Sequence, residues 1–207
     1  LVDQTIEGQG FRVTNQAHGL WGNGSRYFGL LELAQHGTLP DYRTVIGIRN
    51  AHDKAFAAAV CLGATVVVCD NLSFAGDVTL SRKHTRHVIR DLPGLVRDAF
   101  LKFRNLYAQQ EARIAGYKNT RIHDRTAHDL IVQAVDHEVI PVTKLPTVVS
   151  EWRKPSHNEF TKHGRSLWRL HNAFSESWKG ANLNTLPRRS QRLHQLLDRV
   201  CGFQLAA

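Results

Sequence analysis

The sequence predicts an α+β fold, with an antiparallel sheet in the N-terminal half and helices from the C-terminal half packed on one face. Three observations predict it. Alternating and β-branched apolar runs, broken by Gly, Asn and Asp, fill residues 1–90. From residue 91 onward, apolar residues recur at steps of three and four. The 207 residues suffice for one domain with a sizeable core. We therefore expect a single domain over 1–207, strand-rich over 1–90 and helical over 91–207.

Turn signals divide the N-terminal half into strands. The run Gly22-Asn23-Gly24-Ser25 predicts a hairpin turn, because Gly and Asn tolerate positive φ. The polar run 50–54 predicts a second turn after an alternating segment, and Asp70-Asn71 predicts a third. A last strand is expected over 76–85, and we extend it through the basic segment 81–90.

Helical periodicity and end signals place four helices in the C-terminal half. Asp91 is a suitable N-cap for the first helix and Gly116 a suitable end. Asp124 or Thr126 caps the second, and Pro141 and Pro146 bound a short connector. The predicted helices span 91–116, 123–137, 157–180 and 187–202.

The charge balance points to a polyanionic partner. The chain carries 27 Lys and Arg against 18 Asp and Glu, a formal net charge of +9. Nucleic acid is the simplest partner for such an excess of cations. No apolar run reaches the length of a membrane span, and no charged-then-apolar leader opens the sequence, so we expect a cytoplasmic protein without a membrane partner.

The cysteines agree with a reducing compartment. The chain has three, Cys61, Cys69 and Cys201, and no pair has the C-x-x-C spacing of a redox or zinc site. We interpret all three as inert core thiols. No nucleotide-binding loop or other cofactor motif is present in the sequence, so no cofactor is expected.

Two polar clusters carry the site predictions. The first is the turn at 50–54, where Arg49 and Lys54 could hold phosphate and Asn50 could bond a base, although plain turn chemistry is the simpler interpretation. The second is 81–90, four cations without an acid, which suits a basic ribbon that tracks a phosphate backbone. A solvated edge protected by Lys and Arg explains it equally well. The predicted nucleic-acid-binding residues are Arg49, Asn50, His52, Lys54, Arg82, Lys83, His84, Arg86 and Arg90.

A third set of basic residues lies in the C-terminal third. Lys162, Arg165 and Arg169 recur at helical spacing, and so do Arg188, Arg192 and Arg199. Each set predicts a basic stripe opposite an apolar one. Trp152, Trp168 and Tyr117 lie near these cations in sequence, so they are candidate stacking platforms for unpaired bases, with burial in the core as the commoner alternative.

Catalysis is the less favoured interpretation. The sequence lacks the motifs of common hydrolases and nucleotide-binding enzymes, and its acids are dispersed instead of clustered as a two-metal nuclease requires. We therefore predict no catalytic residues and no metal site. A metal-dependent nuclease built on His52, Asp53, Asp70 and His84 is kept as the least favoured alternative.

The segments "IRNAHDKAFAAAVCLGATVVVCDNLSF" and "RKHT" resemble the phage/plasmid-like family called domain of unknown function 932. The family pattern is an Asn/Ser-His-Asp stretch, a hydrophobic run into a Val-Cys-x-Asn turn, and a His after a short polar strand. The resemblance covers most of residues 11–180 and brings no agreed activity. In this sequence the pattern falls on Asn50, His52, Asp53, Val68, Cys69, Asn71, Lys83 and His84.

This resemblance implies a phage, plasmid or other mobile element as the source. By analogy of fold with single-strand annealing proteins, we predict a non-enzymatic protein that binds single-stranded nucleic acid, with DNA favoured, and that forms a homo-oligomer. The alternative is a host-directed protein-binding module, such as an inhibitor of a defence system, whose partner is a host protein.

Overall fold

A computed structural model of the chain describes residues 12–34, 42–66, 72–83, 88–181 and 185–204. Five antiparallel strands form one sheet in the order β1-β2-β3-β4-β5, so each strand pairs with the next in sequence. The sheet is therefore a meander whose edges are β1 and β5. The strands are β1 Val13–Trp21, β2 Arg26–Leu33, β3 Tyr42–Ala51, β4 Ala58–Val66 and β5 Leu72–Arg82.

Two of the predicted turns are confirmed. Gly22, Asn23 and Gly24 all have positive φ, at 61°, 55° and 81°, and they reverse the chain between β1 and β2. The polar run after Ala51 turns the chain between β3 and β4, with Lys54 at a φ of 60°. The turn predicted at Asp70-Asn71 lies outside the described residues.

In the part of the chain that the structure describes, five α-helices follow the sheet, with two short 3-10 segments at Val142–Lys144 and Asn158–Thr161. The helices pack around a core of large apolar side chains, among which Trp152, Phe174 and Ile131 are almost fully buried. They are α1 Val88–Asn119, α2 Asp124–Asp136, α3 Leu145–Arg153, α4 Leu167–Ser177 and α5 Leu186–Cys201.

The helical core continues onto one face of the sheet. Phe28 of β2 and Cys61 of β4 belong to the same buried cluster as the helix side chains, and Trp21 and Leu30 pack against it. The side chains of these strand residues lie on one face of the sheet. Residues paired across neighbouring strands, and every second residue along a strand, have side chains on the same face. The α+β fold, with helices from the C-terminal half on an antiparallel sheet, is confirmed.

Several predicted boundaries are wrong. α1 begins at Val88 and runs past Gly116 to Asn119, so residues 88–90 are helical and not part of a basic strand. The helix predicted over 157–180 is interrupted by Gly164, which has a φ of 58°. α4 starts only after Ser166, whose Oγ accepts a hydrogen bond from the Arg169 backbone N–H at 3.4 Å.

The helix α3 is not among those predicted from the sequence. The connector between Pro141 and Pro146 contains the 3-10 turn Val142–Lys144 and the start of α3. Pro146 sits in the first turn of α3, where its missing N–H has no helical partner to lose. Pro146 therefore marks the start of a helix and not the end of a connector.

Candidate nucleic-acid interface

Strand register brings the two predicted polar clusters to one end of the sheet. Arg26 faces Ala51 across β2 and β3, and Ala58 faces Arg82 across β4 and β5. The β1–β2 turn, the β3–β4 turn and the end of β5 therefore lie side by side. We call this region, residues 21–26, 49–57 and 82–83, the sheet end.

Backbone hydrogen bonds hold the two turns of the sheet end together. The His52 N–H donates to the Ser25 carbonyl at 2.7 Å, which ties one turn to the other. The Lys54 N–H donates to the Ala51 carbonyl at 3.1 Å and closes the β3–β4 turn. The turn therefore presents the exposed side chains of His52 and Lys54 from a fixed backbone.

Asp53 stabilises this turn. Its Oδ1 accepts from the Ala55 N–H at 3.1 Å, and its Oδ2 pairs with Arg26 Nε at 2.7 Å. The Ala55 N–H and then Arg26 lower the pKa of Asp53 below its ordinary value, because both favour the ionised carboxylate. His52 is not among the groups bonded to this carboxylate. The geometry therefore gives no support to His52 as a catalytic general base that is oriented by Asp53.

Aromatic side chains border the turns. Trp21 and Phe56 stack with ring centroids 6.1 Å apart, and both remain partly exposed. The Arg49 guanidinium carbon lies 5.3 Å from the Phe56 centroid, within the range of a cation–π contact. A cation held over a partly exposed ring is a combination that proteins use on unpaired bases.

The remaining predicted residues have four different placements. Lys83 is exposed at the sheet end, beside the backbone of Arg82. Asn50 points to the face opposite Arg49, and its Oδ1 is buried without a hydrogen-bond partner. Arg90 is exposed, but it lies in the first turn of α1 and not on a strand as predicted. His84 and Arg86 lie outside the described residues.

Of the two basic stripes predicted in the C-terminal third, the first is wrong, because Lys162 and Arg165 precede α4. The second lies on α5 opposite buried leucines, but several cations of both sets are paired. The Arg165 guanidinium pairs with Asp124, and Arg169 donates to the carbonyls of Trp152 and Arg153 at 2.8 and 2.9 Å. Arg192 pairs with Glu138, and Arg188 lies 3.9 Å from the same carboxylate. These arginines join elements of the helical half to one another, which reduces what they can offer a polyanion.

The proposed stacking platforms in the helical half are also wrong. Trp152 and Tyr117 are fully buried, and Trp168 is 3% exposed. The indole N–H of Trp152 donates to Asp124 Oδ1 at 3.0 Å, so its polar edge is also used inside the fold. All three rings belong to the core, which was the commoner alternative.

The thiol prediction is supported at one position. Cys61 is buried, and burial raises its pKa to about 12, so the unreactive thiol is the form present. Cys201 is partly buried, and desolvation raises its pKa as well. Cys69 lies outside the described residues.

The nuclease alternative gains no support from the described residues. They contain no group of three or more His, Cys, Asp or Glu side chains placed to hold a metal ion. Asp53, one of its four residues, is bonded to Arg26 and the turn backbone. Asp70 and His84 lie outside the described residues.

A buried polar cluster that the sequence did not predict joins α1, α4 and α5. Arg113 Nε lies 3.2 Å from Asp198 Oδ1, and the Tyr117 hydroxyl donates to the same oxygen at 2.6 Å. Tyr117 Oη also lies 3.1 Å from His194 Nδ1, which then donates as the N–H tautomer. Arg113 is 3% exposed, so this ion pair lies inside the core. We call Arg113, Tyr117, His171, His194 and Asp198 the buried cluster.

His171 lies between two aromatic neighbours in the buried cluster. Its ring stacks on Trp168 at 5.3 Å and on His194 at 5.4 Å. Desolvation, followed by the nearby Arg113 charge, lowers the pKa of His171 to about 3, so the neutral imidazole is the form present. Burial also raises the pKa of Asp198, despite the opposing effects of Tyr117 and Arg113.

Helical spacing was the signal that could have found this cluster. Arg113 and Tyr117 are four apart on α1, and His194 and Asp198 are four apart on α5. His194 also lies next to Leu193 and four residues after the buried Ser190, on the inward side of α5. The sequence alone does not identify the partners of polar residues at such inward positions.

The fold places the chain in the class of α+β proteins, with a five-stranded meander that carries a helical core on one face. The chain belongs to the family described as domain of unknown function (DUF932), whose family model matches residues 1–199. No curated protein and no solved structure matches the chain. Within the described residues, every helix is too short or too polar to cross a membrane.

Proposed function

We propose that this chain binds single-stranded nucleic acid, with DNA favoured, at the sheet end, and that it does so without catalysing a reaction. The observation that carries the proposal is the convergence of two cationic segments, distant in sequence, on one end of the sheet. The sheet end contains Arg26, Arg49, Lys54, Arg82 and Lys83 against one acid, Asp53, which is paired with Arg26. An excess of cations in one place neutralises several phosphates at once.

Partly exposed aromatic rings favour an unpaired strand over a duplex. Trp21 and Phe56 lie at the same sheet end as the cations, and Arg49 is positioned over Phe56. Bases stack on aromatic rings only when they are free of their complementary strand. Phosphate contacts with Lys54 and Lys83, together with base contacts at the rings, give an interface that is tolerant of sequence.

The test is the salt dependence of binding to a labelled single-stranded oligonucleotide, measured by fluorescence anisotropy. The triple variant Lys54→Ala, Arg82→Ala, Lys83→Ala removes three cations from the sheet end. If each contacts one phosphate, the slope of log K against log salt becomes shallower by about 2.

The control variant Arg125→Ala, Arg153→Ala, Lys162→Ala removes the same charge from exposed positions in the helical half. We expect it to keep the wild-type slope, because its cations lie away from the interface. Equal slopes for the two triple variants, or a wild type that does not bind, would contradict the proposal.

Annealing of complementary strands is the finer form of the same proposal. It draws on the fold analogy and the mobile-element context that the sequence resemblance implies. A fluorescence-quenching assay with two complementary oligonucleotides tests it directly. We expect the wild type to accelerate annealing and the sheet-end triple variant to lose that acceleration.

A further inference from the structure

The edge strand β1 is exposed along its length. Every residue from 14 to 20 is exposed, and Leu20, at 69%, is the most exposed of the large apolar side chains in the described structure. Among the described strands, β1 has one neighbour, β2. About half of the backbone N–H and C=O groups of such an edge strand point away from its neighbour and are available for pairing.

β1 lacks the usual protection of a sheet edge. Natural edge strands are protected by Lys, other charges, Pro, bulges or a covering element. The sequence of β1, VTNQAHGLW, contains no Lys, Arg, Asp, Glu or Pro. An irregularity of register between Val13 and Asn15 affects its first residues only. By contrast β5, the other edge strand, packs against α1 and α5.

We propose that β1 pairs antiparallel with β1 of a second copy of this chain, about a two-fold axis perpendicular to the sheet. In such a self-complementary interface a charge at the axis would face its own copy, and β1 contains no Lys, Arg, Asp or Glu. The chain has a net charge of +9, which opposes contact between copies across most basic surfaces. The uncharged β1 avoids that repulsion, whereas a polyanion or an acidic protein would need cations that β1 does not have.

We place the two-fold axis at Ala17, the centre of the exposed stretch 14–20, so that the whole stretch pairs with the same stretch of the second copy. Thr14 then faces Leu20, and Gln16 faces His18. Ala17 faces its own copy, and its small side chain permits close approach of the backbones. His18 is already oriented on the sheet surface, with Nδ1 2.8 Å from the Tyr27 hydroxyl and Nε2 3.2 Å from Gln16 Oε1.

This pairing joins the two sheets into one continuous sheet through backbone hydrogen bonds. Because the two β1 strands run in opposite directions, the two sheet ends lie at opposite ends of the joined sheet. Each copy then binds nucleic acid by itself. The inference therefore goes beyond the proposed function and succeeds or fails independently of it.

Charge substitutions at Ala17 test the pairing. Ala17→Lys and Ala17→Glu each place two like charges face to face at the axis. By sedimentation velocity we expect a dimeric wild type, two monomeric variants, and recovery of a dimer when the two variants are mixed in equal amounts. Recovery on mixing also shows that both variants are folded.

Val132→Lys, at an exposed position on α2, is the matched control and should stay dimeric. A wild type that stays monomeric at the highest concentration that remains in solution would overturn the proposal. So would an oligomer that Ala17→Lys and Ala17→Glu leave intact, or variants that stay monomeric when mixed.

Discussion

The sheet end and the buried cluster are both built from charged and aromatic side chains, but they differ in exposure. At the sheet end, 38% of the Arg26 side chain and 33% of the Asp53 side chain are exposed. In the buried cluster the Arg113–Asp198 pair is 3% and 13% exposed. Water weakens an exposed pair and leaves its groups accessible to a ligand, whereas a buried pair is strong, inaccessible and costly to break. We therefore expect ligand binding to depend on the sheet end and stability to depend on the buried cluster.

The largest expected effect is on stability. Asp198→Ala leaves the buried Arg113 guanidinium without its carboxylate and removes an acceptor from the Tyr117 hydroxyl. Breaking a buried pair in this way costs about 3–5 kcal/mol of unfolding free energy, measurable by urea denaturation.

The matched control is Asp129→Ala, which removes an exposed carboxylate bonded only locally to Gln133 on α2. It should change the unfolding free energy by less than about 0.5 kcal/mol. If the two variants were equally stable, the buried cluster would not be a source of stability.

The second effect is a dependence of stability on pH. His171 has a pKa of about 3 in the folded chain against an ordinary value of 6.5, so below pH 6.5 the unfolded chain binds a proton that the folded chain does not. His171 therefore leaves the free energy of unfolding unchanged above pH 6.5. Between pH 6.5 and pH 3 it lowers that free energy by up to about 1.4 kcal/mol for each pH unit of acidification.

His171→Phe keeps a ring between Trp168 and His194 but cannot bind a proton. Urea denaturation of both proteins across this pH range isolates the contribution of His171, because the other titrating groups are common to both. We expect the variant to lose less stability on acidification. Identical pH profiles would show that His171 titrates normally in the folded chain.

The smallest expected effect is a gain of binding at the sheet end. Asp53→Asn keeps a side-chain oxygen for the Ala55 N–H but removes the one negative charge and releases Arg26 from its ion pair. Affinity for single-stranded DNA should rise roughly twofold, as the loss of one repulsive charge in water implies.

The control for this gain is Asp129→Asn, which removes the same charge from α2. Affinity measured by anisotropy at low salt should be nearly unchanged in that variant. An equal gain in both variants would indicate a general charge effect and not a site at the sheet end.

The sequence predicted the class of fold and the position of the two turns because those depend on local chemistry. Gly22-Asn23-Gly24 adopts positive φ, and alternation sets the faces of β2 and β3. Helix ends were less predictable. Gly116 lies inside α1, whereas Gly164 has a positive φ and interrupts the predicted helix. A single glycine has the same local preference in both settings, so only the surrounding fold decides between them.

The candidate site shows the same division. Arg49, Lys54, Arg82 and Lys83 could be named from the sequence because clusters of polar and basic residues beside predicted turns and strand ends are visible there. The fate of Arg169 and Arg192 could not, because their partners, Trp152 and Glu138, are distant in sequence. The buried cluster was missed for the same reason, as Tyr117 and Asp198 meet only after α1 and α5 pack.

Photo-crosslinking of a bromodeoxyuridine-containing single-stranded oligonucleotide, followed by mass spectrometry of the peptides, tests the assignment of binding to the sheet end most directly. The account predicts crosslinked peptides that contain Trp21 or Phe56, and none from the helical segment 124–181. Crosslinks confined to that helical segment would contradict it.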